Sequence, residues 1–186
     1  MKNKSIKLSG NSYALMALLA EMGEATSYEI KGALEATIEN FWQLPHTTAY
    51  EEPARLAAAG YLSARQEEGG RRRRVYSLTD VGREALSAWT ADPTAAPPQL
   101  REESVLKTFA GADPAPLLAA GLEWHRSKLA ELEGLFAETE HVEGFEGPRR
   151  ALITGILYER KMLEMFDQLI EIDENGLPPT GLPSAD

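Results

Sequence analysis

Four consecutive arginines, Arg71 to Arg74, stand in the stretch "EEGGRRRRVYSLTD" of a 186-residue chain whose formal net charge is −10. A guanidinium is always charged and matches the paired oxygens of phosphate or carboxylate, so a run of four repels itself unless it is solvated or meets such an anion. A second set lies upstream in "PHTTAYEEPARL". There His46, Thr47, Thr48, Tyr50 and Arg55 supply imidazole, hydroxyl and guanidinium groups able to bond base edges or phosphate oxygens. A third pair, His125 and Glu159, interrupts two apolar stripes. Other chemistry is poorly supplied. The chain has no cysteine, which removes thiolate metal sites and thiol nucleophiles. Its three histidines, His46, His125 and His141, are scattered, and no nucleophile elbow, phosphate loop or His-Glu-x-x-His helix occurs. No catalytic residue, metal site or cofactor is expected, and an enzyme is the disfavoured class.

Charge is divided unevenly between the two halves. Residues 1–91 carry 11 Lys+Arg against 11 Asp+Glu, while residues 92–186 carry 8 against 18. The acidity therefore belongs to the second half, and a local basic edge on the first is compatible with a pI near 4.9. The absence of cysteine favours a reducing cytoplasm. "MKNKSIK" followed by "YALMALLA" has the outline of a secretory signal, but the apolar run is short and no small-residue cleavage site follows. No stretch approaches the about 20 apolar residues of a membrane span.

The elements that must position these groups follow from periodicity. "SYALMALLAEMG" aligns Leu15, Leu18, Leu19 and Met22 on one helical stripe, with Ser12 near its start and Gly23 at its stop. A second helix runs through Ile30, Leu34, Ile38 and Phe41, capped by Ser27. A third begins at Thr48 with Glu51 three residues on, the spacing of a capping box, and ends near Gly60. Then "YLSARQEE" and "RRRVYSLT" read as strands around Gly69 and Gly70, a hairpin that sets Arg72 and Arg74 on one face, Arg71 and Arg73 on the other. Thr79 opens a fourth helix, "DVGREALSAWTA", and "DPTAAPPQ" reads as a linker.

Beyond the linker the pattern is helical alone, starting with "QLREESVLKTFAG". Leu118, Leu122, His125, Leu129, Leu132 and Phe136 recur by fours and threes, as do Leu152, Ile156, Glu159, Leu163, Phe166 and Ile170. Such spacing is the seam of a coiled-coil-like pair. Pro148 marks the start of the last helix and Asn175-Gly176 its end, before a Pro-rich tail expected to be disordered. The expected organisation is mainly α with a β wing: residues 1–92 a winged helix-turn-helix, 99–176 a helical dimerisation domain, 177–186 a tail.

On these strings, "ALMALLAEMGEATSYEIKGALE", "FWQLPHTTAYEEPARLAAAGYL" and "EEGGRRRRVYSLTDVGREAL", the chain resembles the PadR family of bacterial transcriptional regulators over roughly residues 13–90. The following helices resemble the longer C-terminal domain of one subgroup. "LTDVGREAL" would also suit a MarR-type regulator. That family, however, flanks its winged helix with dimerisation helices on both sides, whereas this chain puts its extra helices after the wing. Many PadR proteins read "LYPAL" in the third helix. Here Glu51 stands at the usual proline and Pro53 two places later, so the resemblance carries over the role of the helix rather than of each side chain.

The resemblance implies a regulator that binds double-stranded operator DNA, with the third helix in the major groove. His46, Thr47, Thr48 and Tyr50 are its candidate contacts, Glu51 is assigned to capping, and Arg55 either meets a phosphate or pairs with Glu51 or Glu52. Arg71 to Arg74 would lie along the backbone or adjacent minor groove. A homodimer on a palindromic site is expected, since one short helix reads too few bases, and the two apolar stripes are its candidate interface. Repression is the family tendency. The family also implies a small aromatic effector, for which Trp42, Trp89 and Trp124 are candidate lining residues, although core packing explains the first two. A winged helix that binds protein instead of DNA is the other alternative, and the arginine run speaks against it.

Overall fold

The computed structural model describes residues 6–38, 41–67, 73–95, 102–142 and 144–176. Gly69, Gly70, Arg71, Arg72, most of the linker and the tail 177–186 lie outside them. The chain divides into two compact units, Met1–Ala96 and Pro97–Asp186.

The first unit opens with helix α1 (Gly10–Met22). Its cap is Ser9 rather than Ser12: Ser9 and Ser12 form a reciprocal capping box, and the helix closes where the Gly23 N–H bonds Leu19 O at φ 77°. Ser12 is fully buried, and Met16 takes the inward position expected of Met22, which is 39% exposed. Strand β1 (Glu24–Thr26) follows, an element too short to show a period in sequence. Thr26 ends it in extended backbone and so becomes the cap of α2 (Ser27–Ala36), with Glu29 completing the box; Ser27 is the first helical residue instead. The helix stops well before Phe41 because Thr37 turns out of helical geometry and its hydroxyl donates to Ala33 O at 2.6 Å. Phe41 is exposed.

Helix α3 (Thr48–Ala58) starts without the expected capping box. The preceding residues already turn, with Thr48 N–H on Pro45 O at 2.8 Å and Glu51 N–H on Thr47 O at 2.9 Å, so no side-chain acceptor is needed there. Glu51 is exposed and caps nothing, while Pro53 sits in the helix interior and packs into the core. Strands β2 (Leu62–Gln66) and β3 (Arg74–Leu78) then pair antiparallel, Leu62 opposite Leu78 and Gln66 opposite Arg74. β1 adds to the other edge of β3, with Ala25 opposite Tyr76, so the sheet order is β1-β3-β2. Being central, β3 buries Val75, Tyr76 and Leu78, whereas Arg74 at its start is exposed.

Helix α4 (Asp80–Ala91) is tied to this sheet by Thr79, whose hydroxyl donates to Gly60 O at 2.7 Å and accepts from Gly82 N–H at 3.1 Å. Gly82 is required by close approach, since a Cβ there would stand 2.2 Å from Tyr61 O. Leu15, Met16, Leu19, Ile30, Leu34, Leu56, Tyr76 and Leu78 form one core from α1, α2, α3 and the sheet. At 25 cal/mol per Å² of apolar surface, each such side chain contributes on the order of 2 kcal/mol.

The second unit holds α5 (Glu103–Phe109), α6 (Pro114–Glu138) and α7 (Glu146–Asn175). α7 starts two residues ahead of Pro148, which falls in its first turn, where a missing N–H is tolerated. α6 and α7 pack antiparallel, as the coiled-coil-like pair that the two stripes spell out. The four-three stripes face each other within one chain: Leu118, Leu132, Ile156 and Phe166 are buried there, with Leu122, Leu129, Phe136, Leu152, Leu163 and Ile170 partly covered. A hairpin of two long amphipathic helices satisfies its own seam, so these ten residues are engaged before any second chain arrives. Gly121 admits the Phe166 ring, which a Cβ would meet at 2.2 Å. Arg149 closes the end of the hairpin, donating to Phe136 O at 3.0 Å and covering the Phe136 ring. Among the described residues no helix is long and apolar enough to cross a membrane.

Candidate nucleic-acid interface

Helix α3 packs its Ala49, Pro53 and Leu56 side inward. What it leaves outside is His46 and Thr47 in the entering turn, then Tyr50 and Glu51 in the first turn. Thr48 is the exception among the expected contacts. It is buried with 8% of its surface accessible, so its hydroxyl and methyl face the core and only three of the four candidates form the outer edge. The helix N-terminus at this edge also presents backbone N–H groups, which favour phosphate oxygens.

Arg55 is placed by the fold in a polar cluster. Its Nε donates to Glu52 Oε2 at 2.7 Å and its Nη2 to Glu52 Oε1 at 2.5 Å. The same Nη2 reaches Ser12 Oγ at 3.0 Å, and Nη1 reaches the Lys7 carbonyl at 3.3 Å. Of the two readings open for Arg55, the geometry is that of the intrahelical pair, and its partner is Glu52 rather than Glu51. Burial pushes the Glu52 carboxyl up, but hydrogen bonds from Arg55 and Ser12 and the Arg55 charge outweigh it and hold it below the usual carboxylate range. Hydrogen bonding to Glu52 raises the Arg55 guanidinium in turn. The Glu52 and Arg55 spacing was visible in sequence; the participation of Ser12, forty residues away, was not.

The hairpin brings the basic run to the end of β2 and β3. Glu67 N–H bonds Arg73 O at 2.9 Å, extending the ladder one step past Gln66 and Arg74 and leaving residues 68–72 to connect the strands. Arg73 and Arg74 are both exposed. Arg65 on β2 is spoken for, bonding Glu24 of β1 at 2.6 and 3.3 Å.

The tryptophans are not core residues. Trp42 is exposed, lies against Gly10 and donates from Nε1 to Asn11 Oδ1 at 2.9 Å. Trp89 stacks on Tyr13 with ring centroids 4.6 Å apart and remains 47% exposed. Trp124 is exposed and edges onto His125. In the second unit His125 Nδ1 lies 2.5 Å from Glu159 Oε2, so the pair that the stripes left open does form, and both groups are buried. Among the described residues no group of three or more His, Asp or Glu is arranged to hold a metal ion.

The family described as "Transcriptional regulator PadR-like family" matches residues 15–88, the span from α1 through α4. A curated relative, the negative transcriptional regulator PadR of Bacillus subtilis (strain 168), is 26% identical over 131 residues, covering 67% of this chain and 71% of its own. Residues 15–88 carry the domain of a PadR-like transcriptional regulator. The fold of this PadR-like chain is that of Bacillus subtilis PadR in its crystal structure with operator DNA, at a TM-score of 0.76 and 20% identity over 90% of this chain and 99% of that one. The same protein crystallised with p-coumaric acid gives 0.68 at 19% identity, over 90% and 99%. The Vibrio cholerae virulence activator AphA matches at 0.69 and 25% identity, over 90% of this chain and all of that one.

Proposed function

We propose that this PadR-like chain is a dimeric repressor that binds a palindromic operator, with α3 in the major groove and the arginine hairpin along the backbone or minor groove. One observation carries the reading. The fold leaves His46, Thr47 and Tyr50 exposed on the starting edge of the helix whose other side is core, and directs β2 and β3 into the Arg71 to Arg74 run. Thr47 and Tyr50 hydroxyls and the His46 ring can reach base edges or phosphates, and Glu51 on the same edge can accept from a cytosine amino group. The arginines neutralise phosphates and release counterions, which adds affinity for any sequence. That the relative crystallised with operator DNA has this fold supports the reading.

Dimerisation through the two four-three stripes is replaced in this proposal by faces that the hairpin leaves open. On α7, Ile153, Leu157 and Tyr158 are exposed, as are Val105, Leu106 and Phe109 on α5. Exposed apolar side chains on helices are the kind that a second copy covers. Release by a small aromatic effector is supported by the relative crystallised with p-coumaric acid, and the half-exposed Trp42, Trp89 and the exposed Trp124 are its candidate contacts. The acting compartment proposed is the cytoplasm. Repression follows the curated relative, a negative regulator; AphA is an activator, so the sign rests on where the operator lies relative to the promoter.

Footprinting the purified full chain on the DNA upstream of its own gene tests the proposal. Two protected half-sites about one helical turn apart, with transcription reduced by the bound protein, are expected. Uniform protection at every salt concentration, or none, would overturn it.

A further inference from the structure

Arg55, Glu52 and Ser12 form a closed set of contacts that the DNA reading above does not use. Besides the three guanidinium bonds to Glu52 and Ser12, the Ser12 hydroxyl donates to Glu52 Oε1 at 2.7 Å and accepts from Ser9 N–H at 2.9 Å. Thus the capping box of α1 and the middle of α3 share one hydroxyl. Ser12 is fully buried and the Glu52 side chain is 14% exposed, so the Ser12–Glu52 bond is shielded from competing water, while Arg55 closes the cluster from its more open side. The apolar contacts around them, Leu15 and Leu19 of α1 with Leu56 of α3, are non-directional and tolerate small rotations of one helix on the other. Bidentate guanidinium bonds do not tolerate such rotations. An arginine whose Nε, Nη1 and Nη2 are all engaged inside the unit has no free fork to offer a phosphate.

We propose that Ser12, Glu52 and Arg55 are positioning residues that fix the orientation of α3 on α1, and through it the aim of His46, Thr47 and Tyr50 into the major groove. The proposal rests on the DNA-binding function given above. Its consequence is that Arg55, a cation on the third helix, contributes to discrimination between DNA sequences and not to affinity for DNA in general.

The test compares full-length wild type with Glu52→Gln, Arg55→Lys, Ser12→Ala and the double variant Glu52→Gln/Arg55→Lys, each checked by far-ultraviolet circular dichroism. Binding to the footprinted site and to unrelated duplex is titrated over a series of salt concentrations. A merely destabilised protein loses active fraction and weakens on both duplexes equally, whereas a misaimed helix lowers only the ratio between them. Expected is a drop of about tenfold in that ratio for each single variant, an unchanged salt slope, and a double variant little worse than either single one. Two results would overturn the assignment: an unaltered ratio, or tighter binding to both duplexes with a steeper salt slope for Glu52→Gln, the signature of a phosphate contact relieved of a competing carboxylate. Wild type that fails to distinguish the footprinted site from unrelated duplex would overturn the function itself, and the positioning role with it.

Discussion

Glu159 in the helical hairpin faces one partner among the described residues, His125, in a setting closed by Phe166, whose ring centroid is 5.1 Å from that of His125. Glu52 in the winged-helix unit faces Arg55 twice and Ser12 once, and Arg55 stays 39% exposed. Both are carboxylates withdrawn from water, yet they answer the desolvation cost differently. In the hairpin it falls on a single contact, so the net gain is small while the penalty for losing the partner is large. In the first unit several charge-assisted bonds share it, and the open side of Arg55 keeps part of its hydration. A lone buried pair specifies which residues of two helices lie opposite each other. A multidentate, half-open cluster fixes an angle.

The largest effect is expected where the comparison is sharpest. His125→Ala leaves the Glu159 carboxyl buried without its partner and should cost about 3 kcal/mol in denaturant unfolding, whereas His125→Leu/Glu159→Leu should regain most of that. A double variant as weak as the single one would mean that the pair stabilises by itself and the contrast disappears. Gly121→Ala, which drives a methyl into the Phe166 ring, should lose about 1–3 kcal/mol by overpacking, read as a lower denaturation midpoint.

Glu52→Gln should cost less, about 1–2 kcal/mol, and it should remove a pH dependence. Because the folded carboxyl is held below its ordinary value by Arg55 and Ser12 against the effect of burial, its contribution is present above the unfolded-state pKa and is lost as pH falls through the depressed one. Wild type should therefore lose stability on acidification in that window more steeply than Glu52→Gln, and parallel curves would remove the carboxylate from the cluster's energetics. Replacing Arg73 and Arg74 by alanine should leave stability unchanged and lower the salt slope of DNA binding by about 1 for each phosphate no longer neutralised. Arg160→Ala breaks an exposed cross-hairpin pair with Glu133 and should change stability by less than about 0.5 kcal/mol. A larger loss would show that the hairpin depends on surface charge as well as its seam.

Periodicity and punctuation carried most of the fold. In the first unit α1 and α2 were legible from an apolar period, α3 and α4 from the residues that start and stop them, and the strands from Gly69 and Gly70 between them. β1 was not, since three residues contain no period and it becomes a strand only by pairing with β3. Cap positions shifted for a related reason. Ser9, Thr26 and the turn before Thr48 took the roles read onto Ser12, Ser27 and the Thr48 and Glu51 box, because the backbone entering each helix decides which oxygen can reach the free N–H groups. At the candidate interface, the sequence supplied the basic run and the polar residues of α3. Which of them face outward depended on the rotation of that helix against its core, and this turned Thr48 inward.

What the sequence determined by itself, then, was the set of elements, the separation of charge between the halves and the family to which α1 through α4 belong. Those follow from short-range periodicity and residue type, which any window of the chain contains. The tertiary structure decided which partners these elements take. It closed the two four-three stripes on each other, set His125 against Glu159, and placed Ser12 beside Glu52 and Arg55. The last two of those choices depend on residues 34 to 43 positions apart meeting in space. A buried polar group must find a partner wherever the packing brings one, and no local pattern states where that will be.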